Sequence, residues 1–283
     1  MPEGPEARVI SDKLQCVVGY HIVNVTADSR PKYNELTAYP LPLLITNIRS
    51  YGKKVILEMR MFNNQTIYLV TNLGQSGGWF HKERKHTKMR LDLRLHLGGG
   101  EVKNEGGNVR YHTIWFNDVR PMGRLKVMNQ NELNSYLSKH GPDLMSAVLT
   151  FHISKELWLN RFRARQLSYT PICEALMDNA IFYGIGNYLR AEICYHAALN
   201  PARLIHTLTD DDLERLRTLT HHIMFTSYQY NGSTTQDYFD PNGEKGVYPL
   251  SVYRKDYDPN GYPVIPTTFA GKRNVYWCPT VQR

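Results

Sequence analysis

The sequence predicts an α+β protein: an N-terminal helix with an antiparallel β-sandwich, followed by a helical region that ends in a β-hairpin. Two observations carry this. The stretch KMRLDLRLHL alternates strictly, with Met89, Leu91, Leu93, Leu95 and Leu97 on one side and Arg90, Asp92, Arg94 and His96 on the other. Alternation of that kind marks a strand buried on one face. From about Ile153 to Tyr230 the apolar residues recur at helical spacing instead, with only short interruptions.

The elements follow in order. In MPEGPEARVI, Pro5 with Glu3 and Glu6 makes a helix start, because proline fits the first turn and acids suit the positive end of the helix dipole. Val9, Ile10, Leu14, Val17 and Val18 continue it at helical spacing. From about Leu43 the period changes, and KKVILEMR and QTIYLVTNLG read as strands. Gly98, Gly99, Gly100, Gly106 and Gly107 bracket a polar loop before RYHTIWFND returns as another strand. After HGPDLM the helical texture begins. The expected plan is a β-rich domain over residues 1–136, a linker over 137–150 and a helical domain over 151–231. Residues 232–283 hold a mobile loop, NGSTTQDYFDPNGEKG, and a hairpin turning near Ala270 to Arg273.

Composition narrows the function classes. A hydrophobic fraction of 42% with 21% charged residues is globular rather than disordered or fibrous. No apolar run approaches the roughly 18 residues of a membrane span, and acids stand where a signal peptide carries basic and then apolar residues. The expectation is a soluble intracellular protein, with nothing to separate nucleus from cytoplasm. Cys16, Cys173, Cys194 and Cys278 lie far apart with no Cys-x-x-Cys, which fits reduced thiols better than a disulfide framework or a cysteine zinc site. A formal net charge of +8 points toward a polyanionic partner.

Four constellations have chemical content. Removal of Met1 leaves Pro2 with a free secondary amine beside Glu3. An α-amino group titrates at about 7.7–8.0 against about 10.4 for lysine, so roughly a tenth of it is a free base at pH 7. Such an amine can attack an aldehyde-like carbon to give an iminium, an electron sink for elimination. Glu3, with its pKa raised by burial, can act as a general acid. Read without context, the same residues are also an ordinary Pro-initiated helix. In SYGKKVILEM, Lys53 and Lys54 open a strand after a glycine turn, either as solvated lysines or as a group that positions a phosphate or sugar. In IFYGIGNYLRAEICYH, Gly184 and Gly186 lead into a helix capped by Asn187, whose backbone N–H groups suit a phosphate; a plain helix corner is the other reading. The tail sets Lys272 and Arg273 at a hairpin tip with Tyr276 and Trp277 behind, suited to a nucleic-acid backbone or simply a basic surface loop.

Taken together and in this order, these segments resemble the Fpg/Nei DNA glycosylases. The resemblance rests on MPEGPE, Gly52-Lys53, Leu73-Gly74-Gln75-Ser76-Gly77, Gly141-Pro142-Asp143-Leu144, Gly184-Ile185-Gly186-Asn187 with Glu192, and the terminal basic hairpin, so it runs from Pro2 to about Gln282. It implies a β-sandwich with an N-terminal helix, joined to a domain with a helix-two-turn-helix motif. It also implies that Pro2 attacks C1′ of a damaged nucleoside, releases the base and forms a Schiff base, with β- and δ-elimination to follow. Glu3 would assist at the sugar ring oxygen. Lys53 matches the family's strand-start lysine, five residues before Glu58, with Lys54 its rival. Asn187 would hold a phosphate near the lesion and Arg273 would clamp the backbone. Gln75, Arg120 and Met122 match loops that fill the hole left by the extruded base. Gln75 stands where many members have Met, and Met122 where many have Phe.

The tail departs from the family. Most members end in a four-cysteine zinc finger, whereas this chain reads CPTVQ, with Cys278 present and Val281 in place of the second ligand. One thiol does not make a Cys₄ site, so the hairpin is expected to be held by packing through Tyr276 and Trp277, without zinc or any other cofactor. The implied protein is a monomer that acts on damaged double-stranded or single-stranded DNA and touches no membrane. Gln75 and the zincless tail lean toward endonuclease VIII-like members and oxidised pyrimidines. The alternative is a catalytically inactive DNA-damage-binding module on the same scaffold.

Overall fold

The computed structural model describes residues 2–97, 100–101, 111–150, 153–269 and 273–283. Most of the expected glycine-bracketed loop (Gly98, Gly99, Gly106, Gly107) and Lys272 at the hairpin tip lie outside them, as do the side chains of His96 and Leu97. By contacts the chain divides into two compact units. The first comprises Pro2, 6–138 and 235–246, and the second residues 3–5, 139–234 and 247–283.

Helix α1 spans Gly4–Lys13. The strands of the first unit are β1 (Tyr20–Ala27), β2 (Leu43–Tyr51), β3 (Lys54–Arg60), β4 (Thr66–Asn72), β5 (Gly77–Phe80), β6 (Thr87–Leu97), β7 (Gly100–Glu101), β8 (Tyr111–Asp118) and β9 (Arg124–Met128), with a short helix α2 (Pro31–Asn34) after β1. They form one antiparallel sheet in the order β5-β8-β6-β1-β2-β3-β4-β9, with β7 on β6. Residues from both ends of that order, including Trp79 and Phe116 at one and Leu69 and Leu125 at the other, share one buried core. The sheet therefore folds over its own apolar face, with register shifts at Ile22/Asn24 and Ile45/Asn47. The alternation read in β6 is realised at Met89, Leu91 and Leu93, which are fully buried in that core, whereas Leu95 is half-buried. Helix α3 (Gln130–Leu137), started by a capping box of Asn129 and Glu132, packs Leu133 with Ile56, Tyr68, Val70 and Met128.

The second unit holds α4 (Leu144–Leu149), α5 (Lys155–Phe162), α6 (Ile172–Met177), α7 (Asn187–His196), α8 (Asp210–Gln229) and the hairpin β10 (Ile265–Thr268) and β11 (Asn274–Trp277). Trp158, Phe162 and Phe182 meet at ring-centroid distances of 4.7–6.1 Å in its core. Residues 137–150, expected as a linker, instead carry α4, whose Leu144, Met145 and Val148 are buried there. The segment expected as a mobile loop completely buries Asp240 and nearly so Tyr238 (1% exposed). Asp240 accepts backbone N–H bonds from Asn242 (2.8 Å) and Glu244 (3.0 Å) and pairs with Lys13. No described helix is long and apolar enough to cross a membrane.

Candidate active site and nucleic-acid interface

In the second unit the glycines before α7 make room for Glu3. Gly184 has φ +135°, a conformation that disfavours side chains, and its carbonyl accepts from Gly4 N at 2.9 Å. A Cβ on Gly186 would lie 2.3 Å from Glu3 Cδ. With no Cβ there, the Glu3 carboxylate, 1% exposed, reaches the helix start: Oε2 accepts from Gly186 N (2.7 Å) and Leu189 N (3.2 Å), and Oε1 from Tyr188 N (2.9 Å). The first N–H groups of a helix lack partners within it, and the dipole there favours negative charge. Glu3 answers both needs, and donors on both of its oxygens stabilise the charged form. The N–H groups that the sequence offers to a phosphate are thus already occupied by a residue of the chain itself.

What remains at this turn is the side chain of Asn187. Its Nδ2 donates to the Asn274 carbonyl of β11 at 3.2 Å, and its Oδ1 has no hydrogen-bond partner among the described residues. Arg190, one turn further along α7 and 1% exposed, joins the same hairpin. Its Nη2 donates to the carbonyls of Arg273 (3.0 Å) and Asn274 (3.4 Å), and its Nη1 to Glu174 Oε1 (2.8 Å). Helix α7 therefore holds the backbone on which the exposed Arg273 stands. Behind it, Tyr276 packs edge-on to Tyr253 at 5.3 Å, and Trp277 Nε1 donates to Thr267 Oγ1 at 2.9 Å. The CPTVQ turn is closed by hydrogen bonds: Cys278 N donates to Gln282 Oε1 (2.7 Å), and Gln282 Nε2 to Leu199 O (2.9 Å).

In the first unit Pro2 is buried. Lys53 lies half-buried in the turn from β2 to β3, where Gly52 has φ +53°. Lys54 opens β3 at 8% exposure, and burial, then the neighbouring Lys53, lowers its pKa to about 8. Successive strand residues point to opposite faces, so the two lysines meet different surroundings despite adjacency. Lys54 pairs across the sheet with Asn72, and Asn72 with Arg124. Two loops leave this row: residues 73–76 after β4, and residues 119–123 before β9.

These loops are locked at their bases. Gly74 has φ +60°, and a Cβ there would lie 2.7 Å from Gly123 N. Asp118, fully buried, accepts from Tyr33 Oη (2.8 Å) and Gly123 N (2.6 Å) on Oδ2 and from Ser76 Oγ (3.4 Å) on Oδ1, while Ser76 Oγ accepts from Arg120 N (2.8 Å). Burial, then Asp118, pushes the Tyr33 phenol well up. At the tips, Arg120 Nη1 donates to Gln75 Oε1 (3.0 Å), and its Nη2 lies 3.2 Å from Asp237; Met122 is 55% exposed.

The structure thus joins Gln75, Arg120 and the Met122 loop in one cluster, and Glu3, Asn187 and the Arg273 backbone in another. Sequence reasoning passes over Asp118, Arg190 and the buried state of Lys54. A signal exists for Arg190, an arginine between Leu189 and Ile193 on a helix too apolar to leave it in water; Asp118 has none beyond standing at the end of an apolar strand.

Comparison with known proteins gives a consistent result. The family described as Formamidopyrimidine-DNA glycosylase N-terminal domain matches residues 1–125. Relatives include a Formamidopyrimidine-DNA glycosylase of Thermomicrobium roseum, 32% identical over 302 residues covering 100% of this chain and 99% of that protein. An Endonuclease 8 of Pectobacterium carotovorum subsp. carotovorum is 28% identical over 299 residues, covering both chains completely. The crystal structure of MutM (Fpg) from Thermus thermophilus superposes with a TM-score of 0.78 at 25% identity, over 99% of this chain and 98% of that one. The Lactococcus lactis Fpg solved with abasic-site DNA shares the fold, with a TM-score of 0.80 at 19% identity over 99% of each chain. With its fold, its glycine-built helix start and a 32% identical full-length relative in agreement, the chain belongs to the Fpg/Nei family of DNA glycosylases.

Proposed function

We propose that the protein is a bifunctional DNA glycosylase and AP lyase of base excision repair that removes oxidised bases, pyrimidines favoured, from damaged DNA. Once Met1 is removed, the Pro2 nitrogen bonds to C1′ as the glycosidic C1′–N bond breaks, and the base leaves with the electron pair and takes up a proton. Loss of the amine proton and opening of the sugar ring leave an iminium at C1′. Removal of a C2′ proton then expels the 3′ phosphate, and the second elimination expels the 5′ phosphate. The iminium accepts the electrons at each stage.

Glu3 follows the nucleophile directly and is fixed by three backbone N–H groups, the observation that best supports this reading. That anchorage suits a carboxylate that orients the chain start and steadies developing positive charge. Lys53 is proposed to hold a phosphate or sugar oxygen, with Lys54 as its rival. Asn187 and Arg273 are assigned to the DNA backbone. Gln75, Arg120 and Met122 are assigned to the space vacated by the extruded base, whose unstacking is cheapest at a damaged pair. The zincless hairpin and Gln75 favour the endonuclease VIII-like branch.

Borohydride reduction on an abasic or oxidised-base oligonucleotide tests the chemistry. The wild type should become covalently attached to DNA, and Pro2→Gly should reduce the adduct to background. Peptide mapping that places the sugar on an internal side chain would falsify the assignment. A protein that binds DNA without any adduct would be the inactive binding module.

A further inference from the structure

We propose that an open cavity of about 500 Å³ in the first unit is a second nucleic-acid contact, which takes the sugar-phosphate backbone beyond the loop that carries Arg120 and Met122. This rests on the DNA-binding reading above and extends it to a surface that neither the chemistry nor the void-filling loops use.

The cavity is lined by Lys82, Arg84, Lys85 and His86 from the loop between β5 and β6, with Phe80 and Val119 among its apolar lining residues. Glu83 is the one acid among the lining residues. Among the described residues, Lys82, Arg84 and Lys85 make no ion pair. Arg84 is nonetheless held in place. Its guanidinium lies over Phe80 at 4.5 Å and over Phe239 at 4.6 Å, and Lys245 adds a further cation over Phe239 at 5.7 Å. Aromatic faces fix a guanidinium without cancelling its charge, so the site keeps a positioned and unspent cation.

The loop itself is tied down. His86 N donates to Asn117 Oδ1 and its carbonyl accepts from Asp118 N, both at 3.0 Å, and Thr87 Oγ1 donates to Arg84 O at 2.7 Å. Asp118 is the same residue that secures Gly123, and Val119 directly precedes Arg120. The cavity and the void-filling loop therefore share one support. Lys82, Arg84 and Lys85, without an ion pair among the described residues and with Glu83 as the one acid in the lining, exceed what a single phosphate neutralises. A run of phosphodiesters satisfies them, with the counterion release that makes such contacts favourable.

The test is a salt titration of full-length protein binding to a series of duplexes of increasing length, each carrying the same abasic analogue. For Lys82→Gln/Lys85→Gln, the slope of log affinity against log salt should be shallower than wild type by about 0.9 for every phosphate no longer neutralised, about 1.8 in all. The difference should vanish on the shortest duplex and grow to a plateau. Glu83→Gln should tighten binding on long duplexes only. Equal slopes for wild type and double variant, with the wild type still trapped by borohydride, overturn the cavity assignment alone. Weakening that is the same at every salt concentration and length overturns it as well. A wild type that neither binds DNA nor is trapped overturns both readings.

Discussion

The helix start at residues 184–190 and the paired loops at residues 73–76 and 119–123 serve the same proposed task, contact with damaged DNA, by opposite constructions. At the helix start, fold and function use the same atoms: Glu3 both caps α7 and directly follows the proposed nucleophile. In the loops the two are separated. Asp118 and Ser76 lock the bases, while Gln75 and Met122 stand at tips that the lock does not involve. The first arrangement has no room for a side chain at Gly186; the second leaves its tips outside the lock. A loop tip can then change its residue without disturbing the scaffold.

The sharpest way to break this contrast is Gly186→Ala. Its methyl would lie 2.3 Å from Glu3 Cδ, so the carboxylate must leave three buried N–H groups unsatisfied. The expected cost is about 4 kcal/mol or more, within the exceptional range for one substitution. Thermal unfolding should show it together with loss of the borohydride adduct. A variant with near-normal melting and trapping would mean that the helix start is as forgiving as the loops.

An intermediate effect is expected at the sheet end that carries the loop bases. Lys54 has a pKa of about 8 in the fold against 10.5 in the open chain. Between those values the unfolded chain binds more protons, so stability must rise with pH across that window. Below pH 8 the charged lysine costs on the order of 3 kcal/mol relative to an exposed one. Lys54→Met should remove this rise, so wild type should gain on the variant as pH moves from 8 to above 10. Urea midpoints at the two ends of the window measure it; parallel curves for the two proteins would place Lys54 in water.

The smallest effect belongs to the tips. Met122→Ala should shift stability by no more than about 0.5 kcal/mol, as exposed substitutions do, and Gln75→Ala, at a half-buried position that also gives up the bond from Arg120, by about 1 kcal/mol. They should slow base release from duplex more than from single-stranded DNA, since only a duplex has a hole to fill. Equal slowing on both substrates would remove the tips from that role.

How much of this was legible follows the same division. Strict alternation made β6 readable, because a strand buried on one face imposes period two on its own sequence. The glycine turn and Asn187 were readable as a helix start for equally local reasons. The occupant of that start was not, since nothing in the spacing of residues 184–190 names a carboxylate 183 positions away. Which of Lys53 and Lys54 is buried was not readable for a related reason: which of two adjacent residues turns inward depends on strand register, set here by pairing to Asn72. The 137–150 stretch reads as a connection because its Gly-Pro break outweighs the short apolar run LMSAVL, which becomes α4 only by burying itself against distant partners.

The bond from Glu3 to α7 also sets a timetable for biosynthesis. Ribosomes add roughly 5–20 residues per second, so the first residues to emerge wait on the order of ten to forty seconds before Gly186 and Tyr188 exist to receive them. Throughout that interval the Glu3 carboxylate has none of the three N–H partners that hold it in the finished fold. Closure of the helix cap is thus delayed by nothing more than the 183 positions that separate its two halves along the polypeptide.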